Sequence, residues 1–318
     1  MKPIMTMMYR SLLTMSFAAM VTITVSLEAK DPGETATTPV RITVTASVDD
    51  GKRMPEIQKE DVIVKNGKER VQVKEWVPAR GDRAGLELFI LIDDASLSNL
   101  ALQFEDLRAF IKAQPPTTQV GIGYARNATV EISQNFTPDL ALAAKSLRMP
   151  LSSVGAYGSP YLSVADLMKR WPNTPNRREV ILVTDGIDRA RRSRNALLNP
   201  DVTIAAEAAQ RTGTIIHTIY FPGAGHWYRN FWEATNGQNA IAKLSDMTGG
   251  ESFFLGRQAP VSLTPYLGDL QKILDNQYLL TLSARPGKKA ALQYVTITTE
   301  IAGVDLAAPD AVWVPAAK

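Results

Sequence analysis

Apolar residues recur along this chain in two rhythms, and the rhythm changes twice. Residues 40–48 read Val-Arg-Ile-Thr-Val-Thr-Ala-Ser-Val, an alternation of period two that predicts a half-buried strand closed by the turn residues Asp49-Asp50-Gly51. Residues 61–64 and 71–77 predict two further strands, with Asn66-Gly67 as a hairpin turn between them. At Leu86 the character shifts. Residues 86–92 (Leu-Glu-Leu-Phe-Ile-Leu-Ile) are almost continuously apolar, as in a strand covered on both faces of a parallel sheet. Leu100, Phe104, Leu107, Phe110 and Ile111 then follow at helical spacing and predict a helix over 100–113.

From there strands and helices alternate. Strands are predicted at 119–124 and 129–132, helices at 140–147 and 161–171, a strand at 180–183, and a helix at 202–209 that ends near Gly213. A strand at 215–220, a helix at 240–247 ending at Gly249-Gly250, a strand at 252–255 and a helix at 263–274 complete the series. This order predicts an α/β fold: a doubly wound, Rossmann-like domain with a central, mostly parallel sheet, whose ligand site lies beyond the carboxyl ends of the strands. The second change comes at the end, where 278–283, 292–299 and 311–314 are strand-like with no helix between them. Strands at both ends of the chain suggest one small β-sandwich-like module assembled from the N- and C-terminal segments. The expected division is a signal peptide over 1–29, an N-terminal β module over 30–84, the α/β domain over 85–276, and C-terminal strands over 277–318 that pack with the N-terminal module.

The first residues narrow the setting. Lys2 and Arg10 precede an uncharged stretch, 11–27, rich in Leu, Met, Ala, Val and Thr, after which Glu28-Ala29-Lys30-Asp31 turns polar. A basic start, a short apolar core and a small residue at Ala29 read as a secretory signal peptide and place the protein in the periplasm or outside the cell. The alternative is an uncleaved membrane anchor, for which the stretch is shorter than the ~20 apolar residues of a span. Membrane association is therefore expected only through export or such an anchor. Of the 318 residues none is cysteine, which excludes disulfides, thiolate metal sites and cysteine nucleophiles. A formal net charge of +3 with no dense basic stripe lacks the electrostatic footprint of a nucleic-acid binder.

The chemistry sits where the fold predicts a site. The first strand of the α/β part runs into Asp93-Asp94-Ala95-Ser96-Leu97-Ser98, in which Asp94, Ser96 and Ser98 match D-x-S-x-S, and the fourth runs into Thr184-Asp185-Gly186. Each motif alone is weak; together, each after an apolar strand, they are specific. In this order and at these strand ends they resemble the von Willebrand factor A domain and its metal-ion-dependent adhesion site. The whole chain, with Asp61-Val-Ile-Val-Lys-Asn-Gly67 and the Gln277-Tyr278 tail, resembles A-domain-related exported proteins of Acidobacteria. The resemblance implies that Asp94, Ser96, Ser98 and Asp185 coordinate a divalent cation, Mg²⁺ or else Mn²⁺ or Ca²⁺. In the family a Thr before the third helix completes the set; here 155–161 read Gly-Ala-Tyr-Gly-Ser-Pro-Tyr, so Ser159 is the nearest hydroxyl and Tyr157 a poorer substitute. Asp93 rivals Asp94 as the first ligand. A hard cation of the Mg²⁺ kind takes about six oxygens and keeps several waters. A site with few carboxylates retains positive charge and an open position that a partner's carboxylate could fill. The competing reading is that Asp94 and Asp185 cap the segments that follow them.

Two loops add a partner hypothesis. Arg189, Arg191, Arg192 and Arg194 follow T-D-G, and His226-Trp227-Tyr228-Arg229 with Phe231 and Trp232 follow the next strand; Arg and aromatics dominate interface hot spots. They would suit a protein ligand offering an acidic carboxylate, unless the aromatics pack on the protein itself. Arg80-Gly81-Asp82 lies in a linker, His217 and His226 form no metal pair, and Gly121-Ile-Gly123 lacks a third glycine. Ile90 to Asp94 also resembles the paired acids of a phospho-acceptor receiver, but Ala125-Arg126 stands where that domain needs its acceptor Asp. The expected function is thus adhesion or protein binding through a metal site, not an enzyme, with a metal-free structural envelope module as the alternative.

Overall fold

The computed structural model describes residues 37–49, 52–152, 158–191, 198–223, 231–254 and 258–317. The predicted signal peptide lies outside the described residues. No helix among the described residues is long and apolar enough to cross a membrane.

The central sheet follows from the apolar runs. Strands β1 (Thr38–Val48), β2 (Val62–Asn66), β3 (Glu69–Val71) and β4 (Val73–Pro78) come first, then β5 (Leu86–Asp93), all eight of whose residues are buried. Helix α1 (Phe104–Lys112), strands β6 (Thr118–Arg126) and β7 (Thr129–Thr137), helices α2 (Leu140–Lys145) and α3 (Pro160–Arg170), and strand β8 (Arg177–Thr184) follow. Next come α4 (Pro200–Thr212), β9 (Thr214–Tyr220), α5 (Phe231–Thr248), β10 (Ser252–Phe253) and α6 (Thr264–Asp275). The sheet order is β7-β6-β5-β8-β9-β10, parallel throughout except for the antiparallel edge strand β7. In chain order this is the doubly wound 3-2-1-4-5-6 pattern, which reverses direction between β5 and β8.

Alternation along β5 divides the core in two. Leu88, Ile90 and Ile92 join Leu107 and Ile111 of α1, Ala143 of α2 and Leu270 of α6. Phe89 and Leu91 join Leu167 of α3, Val202 and Ala205 of α4, and Ile241 and Leu244 of α5. Successive side chains point to opposite faces of the sheet, so both layers of helices are anchored by one strand. The helices end where their sequences say. Asn199 caps α4 by accepting from the Asp201 N–H, Pro200 opens it, and Gly213 at φ 66° closes it.

After α6 the chain returns to β structure: β11 (Gln277–Ala284), β12 (Ala291–Tyr294), β13 (Thr296–Thr299), β14 (Val304–Ala307) and β15 (Ala311–Val314). Strands from the two ends of the chain pair: β14-β1-β11-β4 form one sheet, β13-β2-β3 another, and β12-β15 a third. They share one core that includes Val44, Val64, Trp76, Leu280, Ile297 and Val314. The chain leaves this module at β4 and re-enters it at β11, and the two are antiparallel neighbours. Tyr278 sits opposite Pro78, and the Ala79 N–H donates to the Gln277 carbonyl at 2.9 Å.

Several elements differ from the sequence prediction. Residues 98–103 form a 3-10 turn, so α1 begins at Phe104. Helix α5 begins at Phe231, nine residues before the predicted start, through a polar stretch (Thr235-Asn-Gly-Gln-Asn239) that carries no apolar rhythm. The predicted strands 71–77 and 292–299 each break, at Gln72 and at Val295, whose N–H turns away to the Asp310 carbonyl. Strand β14, of which only Val304 is buried, carries no apolar run and was not predicted. Arg80-Gly81-Asp82 lies at a 3-10 turn, with Gly81 at φ 59°.

The amino end of the central sheet buries two carboxylates, each hydrogen-bonded at both oxygens. Glu87 accepts from Trp171 Nε1 at 2.6 Å and from Thr174 Oγ1 at 2.7 Å. Glu179 accepts from Gln277 Nε2 at 2.8 Å and pairs with His217 Nε2 at 2.9 Å. Because the Glu251 N–H donates to His217 Nδ1, the proton of this imidazole lies on Nε2 and points at Glu179.

Candidate functional site

The strand order reverses between β5 and β8, where α/β sheets place their crevice, and both acidic motifs stand at the carboxyl ends of these two strands. Asp93 is the last residue of β5 and Asp185 is the first after β8. Two glycines allow the neighbouring backbone to close in. A Cβ on Gly223 would lie 2.0 Å from Asp185 Oδ2, and one on Gly237 of α5 would lie 2.1 Å from the Asp185 carbonyl oxygen. The extra turns of α5 thus bring that helix against T-D-G. Ser96 forms an antiparallel bridge with Gly223, which brings the loop after β5 to the same place.

Asp93 and Asp185 meet on one guanidinium. Arg189 donates from Nη2 to Asp185 Oδ2 at 2.5 Å and from Nη1 to Asp185 Oδ1 at 3.2 Å, and its Nη1 is 4.0 Å from Asp93 Oδ2. Its side chain is only 8% exposed. Asp93 also accepts from Thr184 Oγ1 at 2.7 Å and from the Ala95 N–H at 2.9 Å. Burial pushes the Asp93 carboxyl up from 3.8 to about 6, against the attraction of Arg189 and with the repulsion of Asp185. Tyr161 of α3 closes the far side. Its hydroxyl donates to the Gly186 carbonyl at 2.5 Å, and burial, helped by Asp185, Asp188 and Asp93, raises it well above its ordinary value.

Asp94 faces elsewhere. Arg148 donates to it twice, Nη1 to Oδ1 at 2.8 Å and Nη2 to Oδ2 at 3.0 Å, and the Leu151 N–H adds a third bond at 3.0 Å. The same guanidinium lies 3.7 Å from the centroid of the Tyr124 ring. Burial pushes the Tyr124 hydroxyl up to about 12. Of the two adjacent acids it is therefore Asp93 that shares a cation with Asp185, while Asp94 is held on the other side of β5. This was legible in strand parity: Asp93 is in phase with Phe89 and Leu91, and Asp94 with Ile90 and Ile92.

The candidate hydroxyls divide in the same way. Ser96 Oγ and Ser159 Oγ are buried with no hydrogen-bond partner, whereas Ser98 is exposed at the start of the 3-10 turn. Counted from Asp93, the positions two and four residues on are Ala95 and Leu97, which carry no side-chain oxygen. Tyr157 lies outside the described residues. Among the described residues, no group of three or more His, Asp or Glu side chains is placed to hold a metal ion.

The two loops expected to meet a partner are also partly spoken for. Arg191 Nε donates to Asp201 Oδ1 at 2.7 Å, and Asp188 ties the turn by accepting from the Ala190 and Arg191 N–H groups and from Asn199. Arg192, Arg194 and residues 226–229 lie outside the described residues. Phe231 and Trp232, in the first turn of α5, are exposed and pack edge to face.

No protein-family model and no curated protein matches the sequence. Solved structures do. BatB from Bacteroides thetaiotaomicron is 12% identical with a TM-score of 0.42, over 59% of this chain and 97% of that one. The VWA domain of SpRpn10 is 14% identical with a TM-score of 0.36, over 58% and 94%. Proximal thread matrix protein 1 of the mussel byssus, with a zinc-occupied MIDAS motif, is 14% identical with a TM-score of 0.39, over 63% and 47%. In its own strand order, and in the placing of its two acidic motifs at the ends of β5 and β8, the α/β unit is von Willebrand factor A-like.

Proposed function

We propose that this chain is an exported von Willebrand factor A-like protein-interaction module, not an enzyme, whose crevice holds an internal guanidinium in the place of a divalent cation. One observation carries the reading: Arg189, buried and four residues past Asp185, binds that carboxylate with both terminal nitrogens and lies within 4.0 Å of Asp93. A buried carboxylate pair needs a compensating positive charge, and here the chain supplies it. The buried hydroxyls of Ser96 and Ser159 make no hydrogen bond, so neither is held by a base as an activated nucleophile would be. Recognition then rests on the rim at the carboxyl end of the sheet, where exposed Phe231 and Trp232 are of the residue types that anchor interfaces. The suited partner is a protein segment that covers these rings and offers a carboxylate to the basic loop after T-D-G.

A second reading is favoured by a specific observation, the two orphaned hydroxyls. With Arg189 swung out, the carboxylates of Asp93 and Asp185, joined by the hydroxyls of Ser96 and Ser159, would offer oxygen donors of the kind Mg²⁺ or Mn²⁺ takes. Such an ion would supply positive charge and an open position for a partner's carboxylate. Asp94 and Ser98 do not fit that set, because Asp94 is saturated by Arg148 and Leu151 and Ser98 faces solvent.

Calorimetric titration with Mg²⁺ and Mn²⁺ separates the two. The guanidinium reading expects no saturable binding by the wild-type chain and a new site in Arg189→Ala. Saturable binding by the wild type that Asp185→Ala abolishes would overturn it and establish the metal-dependent alternative.

A further inference from the structure

At the opposite end of the central sheet, a cavity of about 170 Å³ opens where β1 crosses the start of β8. Arg41, Arg177 and Arg178 line it together with Thr174, Asn176 and Gly213, and none of its lining residues carries a carboxylate. All three guanidinium groups are tethered through neutral oxygens. Arg178 donates to the carbonyls of Thr212, Pro172 and Thr174, and Arg41 to that of Pro175. Arg177 donates to the carbonyls of Leu274 and Ala84 and to the Gln277 side chain. The nearest buried carboxylates, Glu87 and Glu179, attract Arg178 and Arg177 but spend both their oxygens on the donors described above, and two of them stand against three guanidinium groups. The adjoining cavity, which shares Arg41 and Arg177, does carry acids, Glu75 and Asp82.

Two features mark the carboxylate-free cavity as incomplete. Arg177 is 93% buried (7% exposed), yet its Nε has no hydrogen-bond partner. Burial also makes the Arg178 guanidinium easier to deprotonate; the nearby Glu87 offsets this in part, and the like charge of Arg41 adds to it. Like charges gathered in a partly dry wall, with a spare donor, call for an anion.

We propose that this cavity binds a phosphate- or sulfate-sized tetrahedral oxyanion, which bridges β1 of the β module to β8 of the α/β unit. Guanidinium forks from three residues suit an oxyanion that accepts in several directions, and Thr174 and Asn176 add neutral polar groups. Size limits the class. At a share of about 30 Å³ per water the volume corresponds to roughly five or six waters, below the ~300 Å³ where pockets for larger organic ligands begin.

The test is thermal unfolding and calorimetry of the full chain in sodium phosphate or sulfate against sodium chloride at matched ionic strength. The wild type should bind one oxyanion saturably and unfold at a higher temperature in its presence. Arg41→Gln and Arg178→Gln should each weaken binding roughly tenfold or more, the loss of one charge-assisted contact. Arg41→Lys keeps the charge without the fork and should fall between. Arg41 is exposed, so its variants test the site without opening the core. A phosphomonoester such as O-phosphoserine that binds as tightly as inorganic phosphate would identify a phosphorylated group as the natural source; binding of inorganic ions only would identify a free ion. No saturable binding beyond the chloride control, or equal binding by wild type and both glutamine variants, overturns the proposal.

Discussion

The two ends of the central sheet bury carboxylates by opposite means. At the amino end, Glu87 and Glu179 accept from neutral donors at both oxygens, Glu87 from Trp171 and Thr174 and Glu179 from Gln277 and His217. At the carboxyl end, Asp93 and Asp185 crowd together, share one guanidinium, and leave two serine hydroxyls without partners. The first arrangement is complete and holds the fold together. The second is one proton or one cation away from a different state, and perturbed groups at a strand-order reversal are where function is expected. What separates the two pairs is not burial, which all four acids share, but crowding: Glu87 and Glu179 each have their own donors, whereas Asp93 and Asp185 repel each other across one shared cation.

That contrast can be broken in a graded way. Arg189→Ala should have the largest effect, because it strands two buried carboxylates; a loss of about 3–5 kcal/mol in chemical denaturation is expected. Millimolar Mn²⁺ should restore part of it. Glu179→Gln at the other end should cost about 2 kcal/mol, since the amide cannot serve both His217 and Gln277 as the carboxylate does. Divalent ions should restore none of this. If Mn²⁺ rescued both variants equally, the distinction between the two ends would fail.

The pH dependence is the next test. Folded Asp93 holds its proton up to about pH 6, whereas the unfolded chain releases it near 3.8. Between those values the folded state binds more protons, so stability falls as pH rises, by up to about 3 kcal/mol across the window. Asp93→Asn should flatten that slope in urea melts taken from pH 4 to 7; an unchanged slope would assign it to another group. Tyr161→Phe is expected to cost least, about 1 kcal/mol for the bond to the Gly186 carbonyl. A cost several times larger would show that the hydroxyl also orders the acidic pair.

Much of the frame was legible in the sequence. The unbroken apolar run of β5, the strand-helix alternation after it, and the β-like ends all carry packing in their periodicity. The parts that were not legible depend on contacts between distant residues. The early turns of helix α5 lie against Asp185, an approach that Gly237 permits and that no local rhythm announces. The D-x-S-x-S spelling set the register from Asp94, but spelling does not state the face of the sheet on which an acid emerges; parity with Phe89 and Leu91 does. Arg189 was visible as one of several arginines in a basic loop, and its return to Asp185 depends on how that loop folds.

The paired entry and exit of the α/β unit also bear on mechanics. Since β4 leads in and β11 leads out as hydrogen-bonded neighbours, a pull on the two chain ends peels that ladder open from its far end. The inserted unit carries no tension until the final pair, Pro78 and Tyr278, has parted. Under such a pull the β module yields first, and the acidic pair keeps its geometry.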